Sequence, residues 1–149
     1  MPHKVMWSIE NALITSVLWG EMSLEELKDI LAENLALIAN ADATWVHVIN
    51  DTRGITSTPS LAQLVKAVRG YKPHTRTGWV TVIRNASPIL SFISDVGLQA
   101  VGIKVRTVRT TADAITFLQS VDDHIDRSLL PADFYQYDTH IAAVHDPVL

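Results

Sequence analysis

Apolar and polar positions recur along the chain at two periods, and the changes of period divide it into strands and helices. Residues 5–9 and 13–19 are short runs rich in β-branched and aromatic side chains, joined at Glu10-Asn11-Ala12, and they predict a hairpin. Ser23-Leu24-Glu25-Glu26 has the form of a capping box, because the serine hydroxyl can accept from the Glu26 N–H while the Glu26 carboxylate accepts from the Ser23 N–H. Leu24, Leu27, Leu31, Leu35 and Ile38 then recur at helical spacing to about Asn40.

The stretch 44–68 is the centre of the chain. Trp45, Val46, Val48 and Ile49 predict a buried strand, and Asn50, Asp51 and Gly54 predict a turn. Thr58 is placed to cap a helix with Pro59 at its first position, where the missing N–H costs nothing. Leu61, Leu64, Val65 and Val68 give that helix one buried face, and Gly70 ends it. A basic connector at 71–77 leads to a strand at 79–83. Ser87 and Pro88 open a third helix, with Ile89, Leu90, Phe92, Ile93 and Val96 apolar and a stop at either Gly97 or Gly102. A strand at 103–108 follows. Thr110-Thr111-Ala112-Asp113 resembles a further capping box before Ile115, Phe117, Leu118 and Val121, and beyond His124 the periodicity fades.

The order β-β-α-β-α-β-α-β-α plus a C-terminal tail predicts an α/β protein: a mixed, largely parallel five-stranded sheet with about four helices on right-handed crossovers. The first four strands each carry one tryptophan, Trp7, Trp19, Trp45 and Trp79. Alternation sets Val46, Val48, Val80 and Val82 against Trp45, His47, Ile49, Trp79, Thr81 and Ile83. Either the helices crowd one face and the tryptophan face finds another cover, or helices cover both.

At 149 residues and 48% hydrophobic, the chain is long enough for one self-supporting core, expected over 1–123 with 124–149 as a tail. The absence of cysteine removes disulfides and thiolate chemistry. The opening MPHKVMWSIEN has no signal-peptide core and no run reaches the roughly 18 apolar residues of a membrane span, so a soluble, cytoplasmic protein is expected. The formal charge of −4 is segregated, with nets of −6, +8 and −6 over residues 1–51, 52–112 and 113–149. The basic middle is a scattered solvated surface, a face for an anionic partner, or a surface across which the acidic tail lies.

With elements in this order, residues 3–122 resemble the STAS domain family, and within it the SpoIIAA-like branch, also described as STAS/SEC14-like. The resemblance lies in element order and hydrophobic pattern. It implies a non-enzymatic regulatory or protein-binding module, and on its SEC14-like side a carrier of a small molecule or lipid in an apolar cavity behind the central turn. In the family's anti-sigma-factor antagonists a serine in an Asp-Ser-Ser-Gly motif at the start of the helix after the central strand is phosphorylated by a partner kinase. Here Ser57-Thr58-Pro59-Ser60 stands against that motif, with Thr58 at the acceptor position. Ser57 replaces the aspartate, Pro59 the second serine and Ser60 the glycine, so a kinase-controlled switch in the family's manner is not expected.

Asp51, Thr52, Arg53, Thr56, Ser57 and Thr58 form the candidate ligand- or partner-binding set, joined by Asn85 and Ser87 after the next strand. They sit at a strand's carboxyl end beside a helix N-terminus, a place suited to an anionic or lipid-like ligand, although the same residue types also close turns and cap helices. Catalytic candidates are poor. Neither a glycine-rich phosphate loop nor a GxSxG elbow occurs, and His47 is better suited to the core or an interface than to proton transfer. Asp138, His140, His145 and Asp146 match no helical metal-ligand spacing, so no metal and no cofactor is expected. Arg69, Lys72, His74 and Arg76 cluster around Tyr71, but the acidic total makes nucleic acid an unlikely partner. The tail residues Leu129, Leu130, Phe134, Tyr135, Tyr137, Ile141 and Val144 are too apolar for a free segment. They point to docking on the domain itself or across the two-fold axis of a homodimer.

Overall fold

The computed structural model describes residues 3–136 and Asp138. Five strands form one sheet in the order β1-β2-β3-β4-β5, with β1 (His3–Ile9) antiparallel to β2 (Leu13–Glu21). Strands β3 (Val46–Ser57), β4 (Thr77–Ile83) and β5 (Lys104–Val108) are then added in parallel. This is the mixed, largely parallel α/β sheet that the periodicities predict. The hairpin closes at Asn11, whose φ of 61° lies in the left-handed region that asparagine tolerates better than most residues.

Helix α1 (Leu24–Ala39) starts at the Ser23 capping box: Ser23 Oγ accepts from the Glu26 N–H at 3.2 Å, and Glu26 Oε2 accepts from the Ser23 N–H at 2.9 Å. Ser23→Ala is therefore expected to cost about 1 kcal/mol. Chemical denaturation measures it, and an unchanged midpoint would show that the cap contributes nothing. Helix α2 (Leu61–Arg69) has Gly70 at its C-cap, as expected. The third helix is interrupted: α3 (Pro88–Phe92) runs through a π-helical turn (Ile93–Gly97) into α4 (Leu98–Ala100). Gly97 lies inside it, and Gly102, at φ 86°, follows its end. Helix α5 (Thr111–Val121) is capped by the Thr110 hydroxyl, which accepts from the Asp113 N–H at 3.1 Å.

The central stretch differs from expectation. There is no turn at 50–56, because β3 continues for twelve residues and its last part pairs with the long β2, Trp19 with Gly54 and Glu21 with Ser57. A Cβ at position 54 would stand 2.8 Å from Trp19 Cβ, so glycine here permits two backbones to approach. Thr58 does not cap α2. Ser60 does, because Gln63 three residues later completes a capping box, whereas three residues after Thr58 stands an apolar leucine, Leu61.

Helices cover both sheet faces. On one, Ile14, Val46, Val48, Val80 and Val82 pack with Ile38 of α1 and Ile103. On the other, Leu13, Ile49 and Ile83 meet Ala114, Ile115 and Leu118 of α5, and Ile125 and Phe134 of the segment after it complete the layer. The four tryptophans consequently do not line one common face: Trp79 stands edge-on to Phe117 with ring centroids 5.0 Å apart, Trp7 borders the opposite core, and Trp19 and Trp45 are exposed. Leu130, Phe134 and Tyr135 pack on their own sheet, while Leu129 is exposed. Tyr137, Ile141 and Val144 lie outside the described residues.

Candidate functional site

Strand alternation puts Asp51 and Arg53 on the α5 side of β3, and there they bind each other. Arg53 Nε and one terminal nitrogen donate to the two Asp51 carboxylate oxygens at 2.9 and 2.8 Å. The other terminal nitrogen donates to Asp138 Oδ1 at 2.7 Å. Asp138 also receives the Thr111 N–H at 2.8 Å and the Ala112 N–H at 3.2 Å, so a tail carboxylate takes the backbone donors at the N-terminus of α5. Burial works against the charge on Arg53, yet the hydrogen bonds and charges of Asp51 and Asp138 outweigh it and hold the guanidinium above its ordinary pKa. Burial likewise opposes ionisation of Asp138, but the N–H groups of Thr111 and Ala112 together with Arg53 prevail and hold it below the usual carboxylate range.

A second buried network lies on the same face. The Trp79 N–H donates to His47 Nδ1 at 2.9 Å, which fixes the ring proton on Nε2, and Nε2 donates to Asp122 Oδ2 at 2.8 Å. This satisfies a backbone donor freed by the register shift between β3 and β4, where Val46 pairs with Thr77 but Val48 with Val80. With both ring nitrogens committed, His47 has no site left for a substrate proton. Asp122 is held below the ordinary carboxylate range: burial opposes ionisation, but the backbone N–H of His124 and the ring of His47 overcome it.

The two depressed carboxylates set a pH dependence. A carboxylate with a lowered folded-state pKa contributes stability above its unfolded value, and the contribution is lost as pH falls through the folded value. Stability is thus expected to hold above about pH 4 and to decline below it. Urea midpoints across that range check this, and the decline should shrink in Asp138→Asn.

The remaining candidates lie on the other side of β3 or at its end. Thr52 Oγ1 donates to the Ile83 carbonyl at 2.7 Å. Asn85 continues the sheet where β4 stops, its Nδ2 donating to the carbonyls of Thr52 and Ile55 at 2.7 and 3.1 Å and its Oδ1 accepting from the Ser87 N–H at 2.8 Å. Thr56 and Ser57 are exposed, and Thr58 and Ser87 are half-buried. The structure therefore splits the set: Asp51 and Arg53 turn inward to α5, while Thr56 and Ser57 end the strand and Thr58 follows it. His47, Asp122 and Asp138 had no motif to announce their roles in these networks, since their partners lie 75 and 85 residues away in the chain.

Beside Asp51 and Thr111 is a cavity of only about 60 Å³. A larger recess of about 730 Å³ lies between α1 and α2, on the opposite side of the sheet. Among the described residues no group of three potential metal ligands occurs, and no helix is long and apolar enough to cross a membrane. His140, His145 and Asp146 lie outside the described residues.

A mixed sheet with one antiparallel edge, one layer of helices (α1, α2 and α3–α4) on one face and α5 with the chain's return on the other defines an α/β module with a SpoIIAA-like fold. Two solved structures bear this out. An uncharacterised DUF3478-family protein with a SpoIIAA-like fold from Shewanella loihica PV-4 matches with a TM-score of 0.53 and 11% identity, over 78% of this chain and 94% of that one. The anti-sigma factor antagonist SpoIIAA in its unphosphorylated form matches with a TM-score of 0.51 and 15% identity, over 80% of this chain and 98% of that one. No family model matches the sequence, and no curated protein does. The likeness is one of fold.

Proposed function

We propose that the chain is a non-enzymatic, STAS-type regulatory module that binds a protein partner through the end of β3, Thr56–Thr58, with Asn85 and Ser87 beside it. The observation that carries this reading is the contrast at that end of the sheet. Thr56 and Ser57 are exposed, while Asp51 and Arg53 further back along β3 are consumed by one another and by Asp138, and the cavity beside Asp51 is about 60 Å³. Small-molecule sites are typically roughly 300–1,000 Å³, so the cavity beside Asp51 gives no support to a carrier chamber on that face, as the SEC14-like alternative would have it. An open polar rim on a packed core suits a partner surface. The SpoIIAA likeness supports the same class.

A photo-crosslinking residue at position 57, compared with one at Asn11 in the hairpin, tests the reading in the protein's native cells. One discrete protein adduct from position 57, absent at 11 and suppressed by Thr56→Arg, is expected. Adducts equal at both positions would refute it. Thr58 is expected to carry no phosphate in protein from those cells, because the aspartate and glycine of the antagonist motif are missing and Ser60, not Thr58, caps α2. Intact-mass and peptide analysis check this.

Phe134 and Tyr135 pack on their own sheet, which supports docking of that part of the tail within one chain rather than across a homodimer axis. Sedimentation of the full chain at micromolar concentration is expected to give a monomer. A concentration-dependent dimer, lost on truncation after Asp123, would restore the two-fold arrangement.

A further inference from the structure

The apolar arc of α1 is wider than the sheet beneath it can cover. Ile30, Asn34 and Ile38 are its buried positions, whereas Leu24, Leu31 and Leu35, one stripe further round, are only half-buried. These three face Ala67 and Tyr71 across the 730 Å³ recess between α1 and α2. The charged groups along it are all of one sign: Lys28, Lys66 and Lys72, each exposed. Glu25 and Asp29 of α1 stand outside the lining.

We propose that this groove is the docking site for an acidic amphipathic helix of a protein partner. The groove is open: none of its lining residues is buried. A small amphiphile needs some 70–90% of its surface enclosed, which an open channel does not provide, whereas a helix brings its own bulk and needs only its apolar stripe covered. From Leu24 to Leu35 the axis of α1 rises roughly 16 Å at about 1.5 Å per residue, room for about three turns of a partner helix with anchors at i, i+3 or i+4, and i+7. Acidic residues flanking those anchors would meet the three lysines. A second copy docked groove to groove would bring its own lysines to the same edge, and so does not fit. The upper end of the groove lies at the starts of α1 and α2, where the Met22 N–H donates to the Ser57 carbonyl at 2.9 Å. One partner could therefore engage groove and strand end together.

This inference rests on the protein-binding reading and deepens it, and the test separates the two. The probe is a panel of 15-residue helical peptides with leucines at the spacings above and flanking glutamates, titrated into the isotope-labelled full chain. Lysine-flanked peptides and dodecanoate run in parallel. The glutamate peptides are expected to shift the amide signals of Leu31, Leu35 and Ala67. The exposed-site variant Lys28→Glu/Lys66→Glu/Lys72→Glu should weaken them about tenfold and favour the lysine peptides, as three exposed ion pairs would. Failure of every glutamate peptide at millimolar concentration, equal binding of both peptide types, or dodecanoate filling the groove in preference would overturn the proposal. So would the same shifts appearing on concentrating the protein alone, which would make the occupant a second copy. Adducts at position 57 with a silent groove overturn this inference only, and a responsive groove without them overturns only the strand-end surface.

Discussion

Arg53→Met is expected to destabilise the protein by about 3–5 kcal/mol, because it removes the guanidinium that meets both oxygens of a carboxylate held out of water. The Asp51 side chain is 3% exposed, and its two oxygens are met by the guanidinium at 2.9 and 2.8 Å. Without the arginine that charge stays buried, and Asp138 loses its contact across 85 residues of chain. Asp138→Ala should cost less, about 1–2 kcal/mol, since it leaves the bidentate pair intact. The decisive control is Asp51→Asn combined with Arg53→Met. Removing both charges should recover much of the loss, and urea midpoints of the singles and the double measure the coupling. Additive effects would show that the pair contributes little and that the arginine acts through packing alone.

Gly78→Ala is expected to cost about 3 kcal/mol, although the substitution adds one methyl group. A Cβ there would lie 2.5 Å from His47 Nδ1 and 2.7 Å from its Cε1. The ring cannot step aside freely, because Trp79 N–H holds one nitrogen and Asp122 the other, and the side chain is 5% exposed. Relief therefore breaks one or both hydrogen bonds and leaves a buried donor unmet. For a chain of this size the loss corresponds to a fall in Tm of about 6–12 °C. In a His47→Ala background, where the obstructing ring is gone, the same substitution should have almost no effect. An equal loss in both backgrounds would place the strain in the strand backbone instead.

Much of the fold was legible because its elements are announced locally. Ser23 and Glu26 mark a helix start whatever surrounds them, Asn11 closes a hairpin between two β-rich runs, and Val46, Val48, Val80 and Val82 declare one strand face by alternation. Strand–helix alternation then leaves few topologies. The errors arose where two local signals competed and a distant partner decided. Asn50, Asp51 and Gly54 carry turn chemistry, but β2 is long enough to pair with that stretch and holds it extended. Thr58-Pro59 and Ser60 both offer a helix start, and Gln63 selects the serine.

For the candidate site the division is sharper. The sequence by itself determined which polar residues stand near the end of the central strand, since a short stretch of chain places Asp51 through Thr58 together. Only tertiary structure decided which of them are available. Arg53 is consumed because Asp138 returns to it and to the N-terminus of α5, and His47 because β4 shifts register beside it. The groove between α1 and α2 belongs to the same category. Periodicity shows that Leu24, Leu31 and Leu35 are apolar on one side of a helix, but only the position of α2 leaves that stripe half-covered and bordered by lysines. Local signals fix backbone conformation, which depends on near neighbours. Availability depends on what the rest of the chain has already satisfied, and those partners are joined through space.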